Sequence, residues 1–351
     1  MMILGYLLLT VYFILCLIIT RSGHRKQNEM LMCSLVVYTF FITFRDSSLW
    51  SDTQGYIIGF KYHTKDLFHF SFHDSIAGYT EFGFYLIGVI VKTFTTHERI
   101  YLLVVGALSM FILYKDIRRY AVFPLIVLCL YLARFGFGRH FVQIRAGIAI
   151  LIVIWALRYI TYRQPWRYLM AIIVASFFHI SAFIALPTYF LNSIPLKKKH
   201  VVEILVTTLV FTSIYSVQIN KKVTAWSMDT KLALSYTDNR QTMKSTGQGL
   251  HNPMIIYQSA LLLILTFNEK RLGELSPHYI TFRNGYLYST VWLIILSSFH
   301  VLSARGSTIT ATYECFFLPF FIRMFKKQDR FIPYMALYLY AIIWITININ
   351  K

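Results

Sequence analysis

An all-α polytopic integral membrane protein is the fold class this sequence predicts, on three observations. First, 57% of its 351 residues are hydrophobic and only 14% are charged, where a soluble protein has about a quarter charged. Second, the apolar residues gather in long blocks, at 3–20, 31–44, 148–160, 201–219, 254–267, 286–302 and 331–349. These approach the roughly 20 residues that cross a bilayer. Third, the alternation of a membrane β-barrel is absent. Inside hydrocarbon a backbone must pair with itself, so such blocks are helices. About 12 transmembrane helices plus one short re-entrant helix are expected, as a single transmembrane domain over residues 1–351.

The block at 3–20 has no basic residue before it and no small-residue cleavage site, and Arg21, Arg25 and Lys26 follow it. It reads as a retained helix, not a signal peptide. After the block at 31–44 the chain turns polar, with Arg45, Asp46, Asp52 and Tyr56 in quick succession. The stretch EFGFYLIGVIVKTF at 81–94 is read as a dip into the outer leaflet. Residues 166–191, WRYLMAIIVASFFHISAFIALPTYFL, are read as a hairpin turning near His179. Cys16, Cys33, Cys129 and Cys315 all lie in apolar blocks, with no metal spacing and no placement for a loop disulfide.

The net charge of +19 would point to nucleic acid in a soluble protein. Here it falls in short clusters between helices, as cytoplasmic loops do. The clusters are Arg21/Arg25/Lys26, Lys115/Arg118/Arg119, Arg158/Arg163/Arg167, Lys197/Lys198/Lys199, Lys270/Arg271/Arg283 and Arg323/Lys326/Lys327/Arg330. One threading puts all six inside: both termini outside, with the dip and the hairpin above. The remaining polar residues then collect outside, in loops 45–81 and 220–252, at Arg134/Arg139/Gln143/Arg145, at His179 and at Arg305.

Each of these admits a structural and a chemical reading. Arg139 and Arg145 flank the start of an apolar helix. They serve either as interfacial anchors or as an anion site, because guanidinium groups bind phosphate oxygens bidentately. Gln143 lies two residues before Arg145, about 200° around a helix, so both face one pocket only if the helix begins there. His179, set in SFFHISAF, is either a structural hydrogen-bonder or a proton-transfer group. Arg305 reads as an isolated cation in a polar-poor turn. Asp66 and Asp74 read as solvated loop carboxylates. Asp52, with Tyr56 at i+4, and Glu81, at a helix start, are candidate general bases for a sugar hydroxyl. Trp50, Tyr56, Tyr62 and Tyr79 offer faces to sugars or belong to an interfacial belt. No P-loop, His-Glu-x-x-His, Cys-x-x-Cys or Asp-x-Asp pair occurs, so a substrate that arrives through the membrane is expected, with no metal and no cofactor.

Taken together, Arg45/Asp52/Tyr56, EFGF at 81–84, QIRAGIA at 143–149, FFHISA at 177–182 and a late Arg305 resemble the EpsG-like group of Wzy-type polysaccharide polymerases. The order and intervening lengths fit across nearly the whole chain. The usual Arg-Gln of the pattern is Arg145-Ala146 here, with Gln143 nearby. The resemblance implies a GT-C-like glycosyltransferase fold. It implies an enzyme that joins undecaprenyl-diphosphate-linked oligosaccharides, as donor and acceptor, into O-antigen or capsular polysaccharide at the periplasmic face of the bacterial inner membrane. A chain-length regulator in the membrane is a further partner. On that pattern Asp52, Glu81 and His179 are the catalytic candidates. Arg139, Arg145 and Arg305 would bind diphosphate, and Arg45, Tyr56 and Gln143 would bind glycan. The competing readings are an O-antigen ligase, a membrane O-acyltransferase and a lipid-linked oligosaccharide flippase.

Overall fold

The structure is a computed structural model and describes residues 2–20, 23–46, 50–70, 81–229 and 249–349. Arg21, and much of the two expected outer loops (47–49, 71–80 and 230–248, with Asp74 and Tyr79), lie outside the described residues. Within them there is no β-strand, as the sequence predicts. The helices are, in order, α1 Met2–Thr20, α2 His24–Phe44, α3 Ser51–Ile58, α4 Phe82–Phe94, α5 Glu98–Tyr120, α6 Pro124–Tyr131 and α7 Ile144–Thr161. There follow α8 Pro165–Ser176, α9 Pro187–Leu191, α10 Lys198–Asp229, α11 Pro253–Phe267, α12 Glu269–Gly273 and α13 Tyr279–Ile295. The chain closes with α14 His300–Ala311, α15 Glu314–Phe317, α16 Phe321–Met324 and α17 Phe331–Ile349.

Three stretches among the described residues are long and apolar enough to cross a membrane: Glu98–Tyr120, Ile144–Thr161 and Lys327–Asn348. The other apolar helices are shorter, because local chemistry cuts them. Pro124 starts α6 at the position where proline has no hydrogen bond to lose. Asn252 caps α11 through its Oδ1, which accepts from the Met254 N–H at 3.0 Å, and Pro253 follows at N1. The 13 residues of α4 span about 20 Å, short of the roughly 30 Å hydrocarbon core. In α5 the His97 ring accepts from the Arg99 N–H, with Glu98 in the first turn and Arg118 and Arg119 in the last. That order of charges complements the helix dipole.

The chain divides into two compact units. One contains Met1–Leu157, Trp166–Phe183 and Cys315–Lys351, the other Arg158–Pro165 and Ile184–Glu314. In the first, α2 packs along α5. Buried hydroxyls on α2 are satisfied within the helix, Thr39 donating to the Leu35 carbonyl and Thr43 to that of Thr39, both at 2.8 Å. α1 meets α17 through Phe13 and Tyr338, ring centroids 5.1 Å apart.

Three five-residue segments of this unit are π-helical: Gly59–His63, Leu132–Gly136 and Gly138–Val142. The i→i+5 turn widens the helix and shifts the direction of everything after it. It occurs mostly as short insertions, frequently at functional sites. The widened backbone is supported by side chains from far along the chain. The Asn348 amide donates to the Ala133 and Arg134 carbonyls at 2.8 and 3.2 Å. Lys92 Nζ donates to the Phe60 carbonyl at 2.9 Å.

In the second unit α13 and α14 form the tightest pair. Ser289 Oγ donates to the Ser307 carbonyl at 2.8 Å, and Trp292 Nε1 to the Leu302 carbonyl at 3.2 Å. Tyr286 donates to the fully buried Glu314 at 3.0 Å. Arg163 donates to Ser193 Oγ at 2.6 Å. The chain between them therefore returns to the place from which it left.

Candidate active site

The first unit gathers four of the sequence motifs around one arginine. Arg145 is the second residue of α7. Gln143, just before the helix, has φ −91° and ψ 55° and is not helical, so the 200° separation of a continuous helix does not apply. Arg145 Nη1 forms an ion pair with Glu81, and the guanidinium lies over the Tyr56 ring at 5.5 Å. Both partners of the pair keep about a quarter of their side chains exposed, 24% and 23%.

Glu81 occupies the N-cap position of α4, yet it makes no side-chain cap. A carboxylate there ordinarily accepts from the first turn of its own helix; this one turns to Arg145. The next turn is fixed from another direction. The Gly83 N–H donates to the Phe177 carbonyl at 2.7 Å. A Cβ on residue 83 would stand 2.9 Å from that carbonyl oxygen, so only glycine permits the approach. This contact ties EFGF to FFHISA.

His179 follows two residues later, in the break between α8 and the 3₁₀ turn Ile180–Ala185. Its Nδ1 accepts from the Ser181 N–H at 3.2 Å and shares a 2.7 Å hydrogen bond with the Ser181 hydroxyl. With Nδ1 accepting, the neutral ring carries its proton on Nε2.

Tyr56 is buried, with its ring tilted against Phe84 at 5.3 Å. Asp52, one turn earlier on α3, is exposed. In the loop beyond, Asp66 accepts from the backbone N–H groups of Phe68 and His69 and from the His69 ring. Those His69 hydrogen bonds hold its carboxyl below the ordinary carboxylate range. That is turn-building, in keeping with a solvated loop.

Arg45 takes a different part from Arg145. It is 6% exposed, and its guanidinium donates to the Ile42 carbonyl at 2.8 Å, the His140 carbonyl at 3.1 Å and Thr53 Oγ1 at 2.9 Å. Thr53 donates in turn to the Phe141 carbonyl at 2.7 Å. Arg45 thus clamps the end of α2, the start of α3 and the widened segment before α7. Arg99 reinforces the clamp, donating to the carbonyls of Thr43 and Arg45 at 3.0 and 2.9 Å.

Arg139 points into an aromatic pocket, 4.1 Å over Phe135 and 5.9 Å over Tyr131, and is 4% exposed. Its backbone reaches α7: a Cβ on Gly147 would lie 2.6 Å from the Arg139 carbonyl. Arg305 belongs to the second unit and is exposed in the middle of α14. The expectation of a cation in a turn is therefore corrected to a cation on a helix. The turn lies at 296–298, and Gly306 sits in mid-helix because the Trp292 ring packs over it.

Sequence reasoning passed over Thr53, Arg99 and His140. His140 is buried and shares a 3.0 Å hydrogen bond with the Tyr131 hydroxyl. Nothing in a lone threonine beside Asp52, or in a histidine between Arg139 and Phe141, signals these roles. Among the described residues no group of three or more His, Cys, Asp or Glu side chains could hold a metal ion.

This arrangement of motifs agrees with the match of residues 29–351 to the family model described as the EpsG family. The chain belongs to the EpsG family. EpsG is a Wzy-like polymerase family, so the chain is a membrane protein of the polysaccharide polymerase type, and the family is associated with glycosyltransferase-like activity. No curated protein and no solved structure matches it.

Proposed function

We propose that this EpsG-family chain joins undecaprenyl-diphosphate-linked oligosaccharide repeat units into O-antigen, capsular or exopolysaccharide at the outer face of the bacterial inner membrane. The observation that carries the reading is the Arg145–Glu81 pair over Tyr56, joined through Gly83 to the His179 segment. A GT-C-like bundle of about 12 spans goes with this reading, as does a chain-length regulator as a partner.

The acceptor hydroxyl attacks the anomeric carbon of the donor sugar. The bond from that carbon to the diphosphate oxygen breaks, and undecaprenyl diphosphate leaves with the electron pair. Arg145 binds the diphosphate and meets the charge that grows on it, which is worth most where donors are already in place. Glu81 holds the Arg145 fork in position. The Nε2 proton of His179 is a second donor to the leaving group. Asp52 takes the hydroxyl proton: it is exposed one turn from Tyr56, whereas the Glu81 carboxylate is engaged by Arg145. Gln143 and the Tyr56 edge contact sugar. Arg45 and Arg139 position the segment leading into α7. No metal is required, because the arginines supply the positive charge.

The test is glycan chain length in a deletion strain complemented with Arg145→Lys, with protein level checked by immunoblot. Lysine keeps the charge and loses the planar fork. The expected result is single capped repeats from well-expressed protein, and long polymer would sink the site. A flippase would instead leave no repeats outside at all. A second assay follows elongation of defined lipid-linked repeats in excess EDTA. Loss of turnover that magnesium restores would overturn the arginine-based mechanism.

A further inference from the structure

A basic cleft of about 740 Å³ lies wholly in the second unit, with five cations on its walls, Arg163, Lys197, Lys198, Lys270 and Arg283, against one carboxylate, Glu269. These residues come from three of the charge clusters that the sequence places in cytoplasmic loops. Two of the charges cancel: Arg283, 1% exposed, donates to Glu269 at 2.9 Å and to the Leu196 carbonyl at 2.9 Å. Lys198 Nζ caps α11 by donating to the Phe267 carbonyl at 3.0 Å. Arg163, Lys197 and Lys270 are exposed at the cleft.

Arg163 carries the inference. It has φ +56°, the only positive value outside glycine among the described residues. Its N–H bonds to the Ile160 carbonyl at 3.2 Å, and that of Gln164 to the Tyr159 carbonyl at 2.8 Å. This is the paired closure that ends a helix with its C′ residue left-handed, a place where glycine is strongly preferred. An arginine there is strained. Strain of this kind persists where the side chain is needed and the surroundings enforce it. Here Ser193 receives the guanidinium at 2.6 Å and donates onward to the Tyr189 carbonyl at 3.2 Å, which aims the fork at the cleft.

The wall beside these cations is apolar and open. Ile194 is 53% exposed and Ile280 38%, and both line the cleft. A soluble phosphate has no use for them, whereas a phospholipid presents a phosphate and a glycerol–acyl boundary together. Basic pockets between membrane helices on the cytoplasmic side suit anionic headgroups. We propose that this cleft binds the phosphate of an anionic phospholipid of the cytoplasmic leaflet, with Arg163 as its principal ligand and Lys197 and Lys270 assisting. The inference rests on the proposed function only for the orientation of the chain, and its test reads lipid binding and not polymer.

Purified protein in nanodiscs of equal parts phosphatidylglycerol and phosphatidylcholine is examined by native mass spectrometry, with thermal unfolding measured in parallel. The wild type should retain phosphatidylglycerol over phosphatidylcholine by about five- to tenfold, a basic residue near the surface being worth about 1 kcal/mol. Arg163→Gly relieves the strained backbone, so it should unfold no earlier than wild type in phosphatidylcholine alone, yet lose most of that preference. Lys270→Gln should reduce the preference by less. Inorganic phosphate and glycerol 3-phosphate should neither displace the lipid nor delay unfolding. Wild-type selectivity in Arg163→Gly would overturn the proposal. So would displacement by the soluble phosphates, which would make the cleft a site for a soluble anion.

Discussion

Arg145 with Glu81 and Arg283 with Glu269 are the same chemical pair, built in opposite ways. Arg283 is 1% exposed. Its Nε and Nη2 donate to Asn284 Oδ1 at 3.1 and 2.9 Å, its Nη1 to Glu269, and its Nη2 also to the Leu196 carbonyl. Arg145 keeps a quarter of its side chain open and rests on an aromatic face. A buried guanidinium must have its donors met, because an unmet one costs more than a hydrogen bond returns. Arg283 meets that condition with protein atoms and has little capacity left for a ligand. Arg145 retains solvent access, which an incoming phosphate can replace. The difference teaches that the number of arginines near a site says little, and the fate of their donors says a great deal.

The largest effect that follows falls on stability. Arg283→Ala leaves Glu269, Asn284 and the Leu196 carbonyl without their partner. Water can reach Glu269, which is 30% exposed, but each buried acceptor left unmet costs about 1–3 kcal/mol, so membrane yield and the thermal midpoint in detergent should both fall sharply. An Arg283→Ala protein as stable as wild type would break the comparison at its firmer end. Arg145→Lys should do the reverse. Turnover should fall by roughly a hundred- to a thousandfold, as for loss of one transition-state donor, while stability moves by less than about 1 kcal/mol, as for a partly exposed pair. Gly83→Ala comes next. Its methyl must push aside the Phe177 carbonyl, at a cost of about 1–3 kcal/mol. Because that contact positions Glu81 and the His179 segment, repeat-unit turnover should fall together with the thermal midpoint.

What could be read beforehand divides along the same line. The helical membrane class followed from the apolar blocks; Glu81, Arg145 and His179 stood out because ionisable groups are rare in such a chain, and Tyr56 because it lies one turn from Asp52. The structure brings their segments together through contacts of side chains and of one backbone pair. Arg45 stood out for the same reason, but two of its partners are the carbonyls of Ile42 and His140, and carbonyls are identical at every residue; the third is the lone Thr53 hydroxyl. The π-helical widening at 132–142 was also hidden. An i→i+5 turn shifts the phase of a helix without requiring a particular residue, and Arg134 and Arg139 read as interfacial charges and not as a change of phase. Arg305 read as a turn cation because it stands isolated in a polar-poor stretch; the segment is helical, and Gly306 leaves room there for the Trp292 ring.

The smallest effects sharpen the comparison most, because they neutralise each carboxylate while keeping its shape. Glu269→Gln keeps an acceptor near Arg283, whose other acceptors remain, and Glu269 is itself 30% exposed. Stability should fall by about 1 kcal/mol and repeat-unit turnover should not change. Glu81→Gln keeps an oxygen beside Arg145 but loosens the fork that the charge held. If Glu81 orients Arg145 while Asp52 takes the proton, turnover should fall by about tenfold, close to 1.4 kcal/mol, and Asp52→Asn should fall much further. Single-turnover rates on defined lipid-linked repeats separate the two. A Glu81→Gln loss as deep as that of Arg145→Lys, with Asp52→Asn nearly active, would make Glu81 the base. The open pair would then be a proton-transfer device instead of a binding fork.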